Sequence, residues 1–151
     1  MNKNVFVTVS NKSFISKKDV HKIITRLKKI FLFEIESLPV NFVTSEEMHS
    51  LNKSYLKHDY STDIITFNYS RKNDILDGEI FISLDDAFAN SKKYKVHFSN
   101  EIVRLVIHGI LHMLGYDDRD KVSKSKMKKE ENRLVDILSY EIKKGSFKYG
   151  G

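Results

Sequence analysis

Apolar residues recur along this chain with two periods, and the switches between them lay out the elements. Residues 5–9, VFVTV, are β-branched and predict a first strand. Val20, Ile23, Ile24, Leu27, Ile30 and Phe31 follow at helical spacing behind a Ser16/Asp19 capping pair, so an amphipathic helix is expected over 17–33. Pro39 then opens a second strand over 40–43, since proline suits the first position of a strand. Thr44 and Glu47 make a capping box for a short helix through Met48, Leu51 and Tyr55. The polar residues 56–62 predict a turn, 63–69 a strand, 71–77 a charged connection, and 78–83 a strand entered at Gly78. Ser83 and Asp86 cap a helix to about residue 94, where Lys92, Lys93 and Lys95 meet its carbonyl end.

The helix after that is different. It is expected to begin at Ser99 or Asn100 and to end at Gly115, and it is apolar nearly all round: Ile102, Val103, Leu105, Val106, Ile107, Ile110, Leu111, Met113 and Leu114. Such a helix is enclosed by other elements rather than lying on the surface. A last helix is expected over 123–144, with Met127, Leu134, Ile137, Leu138 and Tyr140 inward and Lys124, Lys126, Lys128, Lys129 and Arg133 outward. No linker, repeat or low-complexity segment interrupts the 151 residues, so one α+β domain over 1–151 is expected, a small sheet around a buried central helix.

The chemistry lies in that helix. His108 and His112 stand four apart, which puts both imidazoles on one face about 5–6 Å apart at Cβ. Gly115 breaks the helix, and Asp118 follows where a chain that doubled back could supply a third ligand. Two nitrogens and a carboxylate suit zinc, and a catalytic zinc site keeps a position open for water. Asp117 is the competing carboxylate, with an alternative role in the turn. The pattern H-x-x-x-H-x-x-G-x-x-D resembles the zinc-peptidase arrangement, but Gly109 stands where those enzymes carry their general-base glutamate. That argues against peptide hydrolysis by their mechanism.

Composition narrows the partners. There is no cysteine, so thiolate-held metals and disulfides are excluded. A net charge of +6 permits a polyanionic partner, although 21 lysines against 5 arginines and only two alanines also fit a biased residue usage. The apolar runs fall short of a membrane span and the first residues lack a signal-peptide pattern, so no membrane association and a cytoplasmic location are expected.

The run HGILHMLGYDD at 108–118 resembles the signature of the YbeY family of metal-dependent endoribonucleases, H-G-x-L-H-x-x-G-Y-D-H. Upstream, LNKSY at 51–55, TDIITF at 62–67 and GEI at 78–80 match that family's L-N-x-x-Y, T-(D/N)-V-L-S-F and G-D-I segments in order and spacing. The resemblance implies a mixed sheet of about four strands with about five helices and a buried, zincin-like metal-binding helix. It implies cleavage of single-stranded RNA in ribosomal RNA maturation, especially at the 3′ end of the small-subunit RNA, and in ribosome quality control. RNA of the small ribosomal subunit is the partner, and DNA is not expected. Carried across, His108, His112 and Asp118 would hold one Zn2+ per chain, another divalent transition metal being the alternative, and the two histidines would act through it. Asp118 replaces a family histidine, and Leu56 stands where the family has a phosphate-binding arginine. Lys57, His58, Asp63 and Tyr116 are the candidate substrate contacts. Tyr55, Tyr60 and Tyr116 could stack on unpaired bases, whereas Phe67 alternates with core positions. Lysines of the last helix and of 92–95 would hold the RNA backbone. The competing functions are a ribosome-assembly factor with a structural metal and a metal-dependent hydrolase of another substrate.

Overall fold

The computed structural model describes residues 2–56 and 62–151. Four strands, β1 (Val5–Val9), β3 (Glu34–Val43), β5 (Ile75–Ser83) and β4 (Ile64–Asn68), lie side by side in that order. The first three are parallel and β4 runs antiparallel to β5, so the sheet is mixed. Five helices accompany it: α1 (Lys17–Phe31), α2 (Ser45–Tyr55), α3 (Leu84–Lys93), α4 (Phe98–Met113) and α5 (Lys121–Ser139). This is the α+β class the pattern predicts.

The strands alternate burial, so one sheet face carries Val5, Val7, Leu38, Val40, Phe42, Leu76, Ile80 and Ile82 into the main core. α1 and α4 cover that face, and α3 and α5 close around α4. The other face bears only a small cluster under α2, built on Val43, Met48 and Ile65. α4 is therefore central, with twelve of its residues buried. Among the described residues no helix is long and apolar enough to cross a membrane.

Several boundaries move. β3 begins at Glu34, so Pro39 lies inside a strand rather than at its start. The backbone tolerates it because Leu38 N–H donates to Asn4 O towards β1, which turns the missing N–H of Pro39 towards β5. There the ladder is interrupted: Ser37 pairs with Asp77 and Val40 with Ile80 in one register, with no pair at Leu38 or Pro39, and the register shift lies upstream between Ile35 and Ser37. α4 is capped by His97, whose Nδ1 accepts from Ser99 N–H at 3.1 Å, not by Ser99 or Asn100. α5 is capped by Asp120 through Ser123 N–H and stops at Ser139 rather than running to 144. The chain then turns to bury Ile142 and Phe147, and a strand β6 (Phe147–Lys148) pairs with β2 (Phe14–Ile15). That two-stranded ribbon carries no periodic signal of its own. It is held by Tyr149, which stacks on Phe88 at 4.3 Å and donates to Asp85.

Candidate metal centre

α4 presses against the sheet at Gly109, where an added Cβ would lie 3.0 Å from Ile80 and 3.2 Å from Ile64. The close approach explains the missing glutamate: position 109 points into the sheet, and nothing larger than glycine fits without displacing two isoleucines. His108 and His112 project together from another face of the helix. Their surroundings differ.

His108 is half-buried, and its Nδ1 lies 2.8 Å from Glu131 Oε2 on α5. Glu131 is only 4% exposed. Its other oxygen accepts from Arg104 Nη1 at 2.7 Å and has Lys128 Nζ at 3.5 Å. Burial pushes the Glu131 carboxyl up, but hydrogen bonds from His108 and Arg104 and the charges of His108 and Lys128 outweigh it and hold the pKa below the usual range. An ionised Glu131 accepts only, so His108 donates through Nδ1, and in the neutral form of the ring the lone pair lies on Nε2.

His112 is exposed, and its Nδ1 meets Thr66 Oγ1 of β4 at 3.3 Å. Neither Nε2 has a hydrogen-bond partner among the described residues. Asp118 is exposed and lines, with His108 and Asp63, a cleft of about 1190 Å³ between α5 and the turn joining α3 to α4. Among the described residues no three His, Cys, Asp or Glu side chains are grouped to hold a metal ion. The histidine pair thus fits a metal in its donor atoms, and Asp118 shares the cleft with His108 without closing a three-ligand group. Asp117 is engaged elsewhere: Arg119 donates to it at 2.9 Å and keeps its carboxyl below the usual range.

Asp63 faces the same cleft, and its Oδ2 accepts from Asn90 Nδ2 at 3.1 Å. Burial raises its pKa against the opposing pull of His108 and Asn90. Tyr116 lies apart from His108, in a smaller hollow of about 330 Å³ with Asn73 and Gly115. Gly115 has φ +105°, a backbone that favours glycine, and it lets the chain leave α4 sharply. Leu56, in place of the family arginine, is exposed at the end of α2. Tyr55 is exposed and meets Phe67 edge-on at 5.9 Å, and Phe67 packs on the cluster under α2. Lys57, His58 and Tyr60 lie outside the described residues.

The sequence reading missed two carboxylates. Glu101 is buried beside Arg104, with its pKa raised chiefly by burial. A signal for it exists, because Glu101, Arg104, His108 and His112 form the one polar stripe on an otherwise apolar helix. Glu131 had no such signal within KMKKEENR, which looks like a solvated charge run.

The model of the family Endoribonuclease YbeY matches residues 4–144. The chain belongs to the endoribonuclease YbeY family. Endoribonuclease YbeY of Parabacteroides distasonis is 40% identical over 102 residues, covering 68% of this chain and 71% of the relative. Endoribonuclease YbeY of Azobacteroides pseudotrichonymphae is 43% identical over 97 residues, 64% of this chain and 69% of the relative. The solution structure of TM1509 from Thermotoga maritima matches with a TM-score of 0.64 at 26% identity, over 91% of this chain and 90% of that one. The YbeY-family relationship spans every element from β1 through α5 and so includes the whole His108 cleft.

Proposed function

We propose that this chain is a metal-assisted endoribonuclease of single-stranded RNA, acting in the cytoplasm on ribosomal RNA, at the 3′ end of the small-subunit RNA and in ribosome quality control. Family membership supports RNA cleavage, and the net charge of +6 suits the substrate. One observation carries the metal: the contact of buried, ionised Glu131 with His108 Nδ1, the arrangement that orients a metal-binding imidazole. His108 and His112 would hold the ion through Nε2 and Asp118 through its carboxylate. We assign Zn2+, one per chain, with another divalent transition metal as the alternative. When bound, such an ion supplies Lewis acidity towards a phosphoryl oxygen and lowers the pKa of water.

The protein's own groups divide the remaining work. Glu131 keeps the proton of His108 on Nδ1. Thr66 can accept from His112 Nδ1, which leaves that ring's Nε2 free in the same way. Asp63 takes up a proton at higher pH than an exposed aspartate, and Asn90 occupies only one of its oxygens, so the other can exchange a proton with substrate in the cleft. With an apolar residue at Leu56, the exposed lysines that line the cleft would supply phosphate-binding cations.

Incubation of metal-loaded protein and of His112→Ala with single-stranded RNA, free of contaminating nuclease, tests the reading. Cleavage by the first and none by the second is expected, and equal cleavage overturns it. Elemental analysis should find one transition-metal ion per chain. Asp118→Ala should weaken its binding, and unchanged affinity removes Asp118 from the ligand set.

A further inference from the structure

The cleft on which His108 opens has two unlike walls. One is α5, where Lys121, Lys124, Lys128 and Lys129 recur on one side over roughly 12 Å of helix. The other is the turn between α3 and α4, which presents Tyr94, 61% exposed, beside Val96. This turn is held by a left-handed residue that is not glycine: Lys95 has φ +56°, and Val96 N–H reaches back to Ser91 O at 3.0 Å. A backbone conformation that L side chains rarely adopt is thus kept where it sets Tyr94 at the mouth of the cleft.

The lysines are unequal. Lys128 is tied to Glu131 at 3.5 Å. Lys121, Lys124 and Lys129 are exposed and form no ion pair with any described residue. At the back of the cleft stand the buried carboxylates Glu101 and Glu131. Arg104 and His108 offset those carboxylates, whereas the cations of the rim are uncompensated, and their spread along α5 suits an elongated polyanion better than a compact one. The volume also exceeds the usual range for a small-molecule pocket, about 300–1,000 Å³. A rim of unpaired cations facing an exposed aromatic is the arrangement that holds an unpaired nucleic-acid strand, phosphates on one side and a base stacked on the other.

We infer that Lys121, Lys124 and Lys129 with Tyr94 form the track that leads single-stranded RNA past His108. This rests on the RNA-cleaving reading above and assigns the path of its substrate. Because the family arginine position is Leu56, these lysines supply the described cleft with the cations that position cannot.

Binding of a fluorescein-labelled oligouridylate 12-mer, followed by anisotropy over a salt series, tests the track apart from cleavage. Charge reversal of Lys121, Lys124 and Lys129 to Glu should weaken Kd at least tenfold and lower the salt slope by about 2, three single-strand phosphate contacts being lost. Reversal of the exposed Lys17, Lys18 and Lys29 on α1 changes net charge equally and should leave Kd within twofold. Tyr94→Ala should weaken the oligonucleotide severalfold while leaving binding of an inorganic polyphosphate of similar length unchanged. Equal losses from the two lysine triples would show that binding follows net charge alone, and an unchanged Kd in the α5 triple would place the strand elsewhere; either overturns the track. Circular dichroism checks that each variant is folded. Cleavage by wild type with an unaltered KM in the α5 triple defeats this inference and spares the nuclease reading. Binding on the α5 lysines without cleavage by metal-loaded wild type does the reverse.

Discussion

His108 and His112 are the same residue one turn apart on one helix, yet the fold treats them differently. His108 is half-buried and fixed by a charge-assisted bond to Glu131, which Arg104 and Lys128 brace from the other side. His112 is exposed, and a neutral hydroxyl at 3.3 Å is its partner. The difference comes from what lies alongside: α5 supplies a buried carboxylate to one imidazole and β4 a threonine to the other. A charge-assisted bond is about twice as strong as a neutral one, so His108 is set before any ligand arrives and His112 can adjust. A site with one rigid and one adaptable nitrogen can accept a ligand and then tighten on it.

The strongest way to break this pair is between its members. Gly109→Glu forces a carboxylate among Ile64 and Ile80, and a loss of about 3 kcal/mol or more is expected, seen as loss of cooperative thermal unfolding. Next comes the His108 side alone. Glu131→Ala strands half-buried Arg104 and His108 and should cost about 3 kcal/mol in urea unfolding, with Zn2+ affinity by calorimetry falling about 10–100-fold. Asp63→Asn should act in the opposite direction. Its folded pKa is raised, so the ionised carboxylate opposes folding above that pKa, and below the unfolded pKa the protonated side chain costs nothing. The variant should therefore melt higher than wild type at pH 7, with the gain disappearing as pH falls through the raised pKa and towards about 4. The smallest effect belongs to His112: Thr66→Val should cost less than about 1 kcal/mol and change Zn2+ affinity less than Glu131→Ala does. Equal affinity losses for the two would erase the asymmetry.

The elements with strong local signals were legible. Thr44 and Glu47 form the expected capping box, Ser83 caps α3, and α4 is as enclosed as its apolar girth implies. What failed locally was decided at long range. Pro39 sits within β3 because the missing donor faces an unpaired stretch of the β3–β5 ladder, which no window of sequence reveals. α5 ends at Ser139 because Phe147 returns to the core and β6 to β2, a pairing across the length of the chain. The site divides in the same manner. The histidine pair follows from helical spacing, whereas Glu131 reaches His108 across 23 residues and was hidden in a lysine-rich run. In the sequence Gly109 marks only an absent catalytic group, and the sheet supplies the steric reason for it.

The anchoring of α5 has a mechanical consequence. Just past its carboxyl end, Glu141 accepts from Arg26 and Lys22 of α1 at 3.0 Å each, and the adjoining chain is pinned by the β2–β6 ribbon. Its amino end, from Asp118 to Val122, is exposed. From Met127 onward the helix is fixed in the core and through Glu131 to α4, so freedom to fray or shift is confined to its exposed first turn, at the mouth of the cleft. Amide hydrogens near Lys124 should exchange faster than those near Leu138, and the aperture can widen for a bulkier nucleotide without disturbing the core that Leu134 and Leu138 complete.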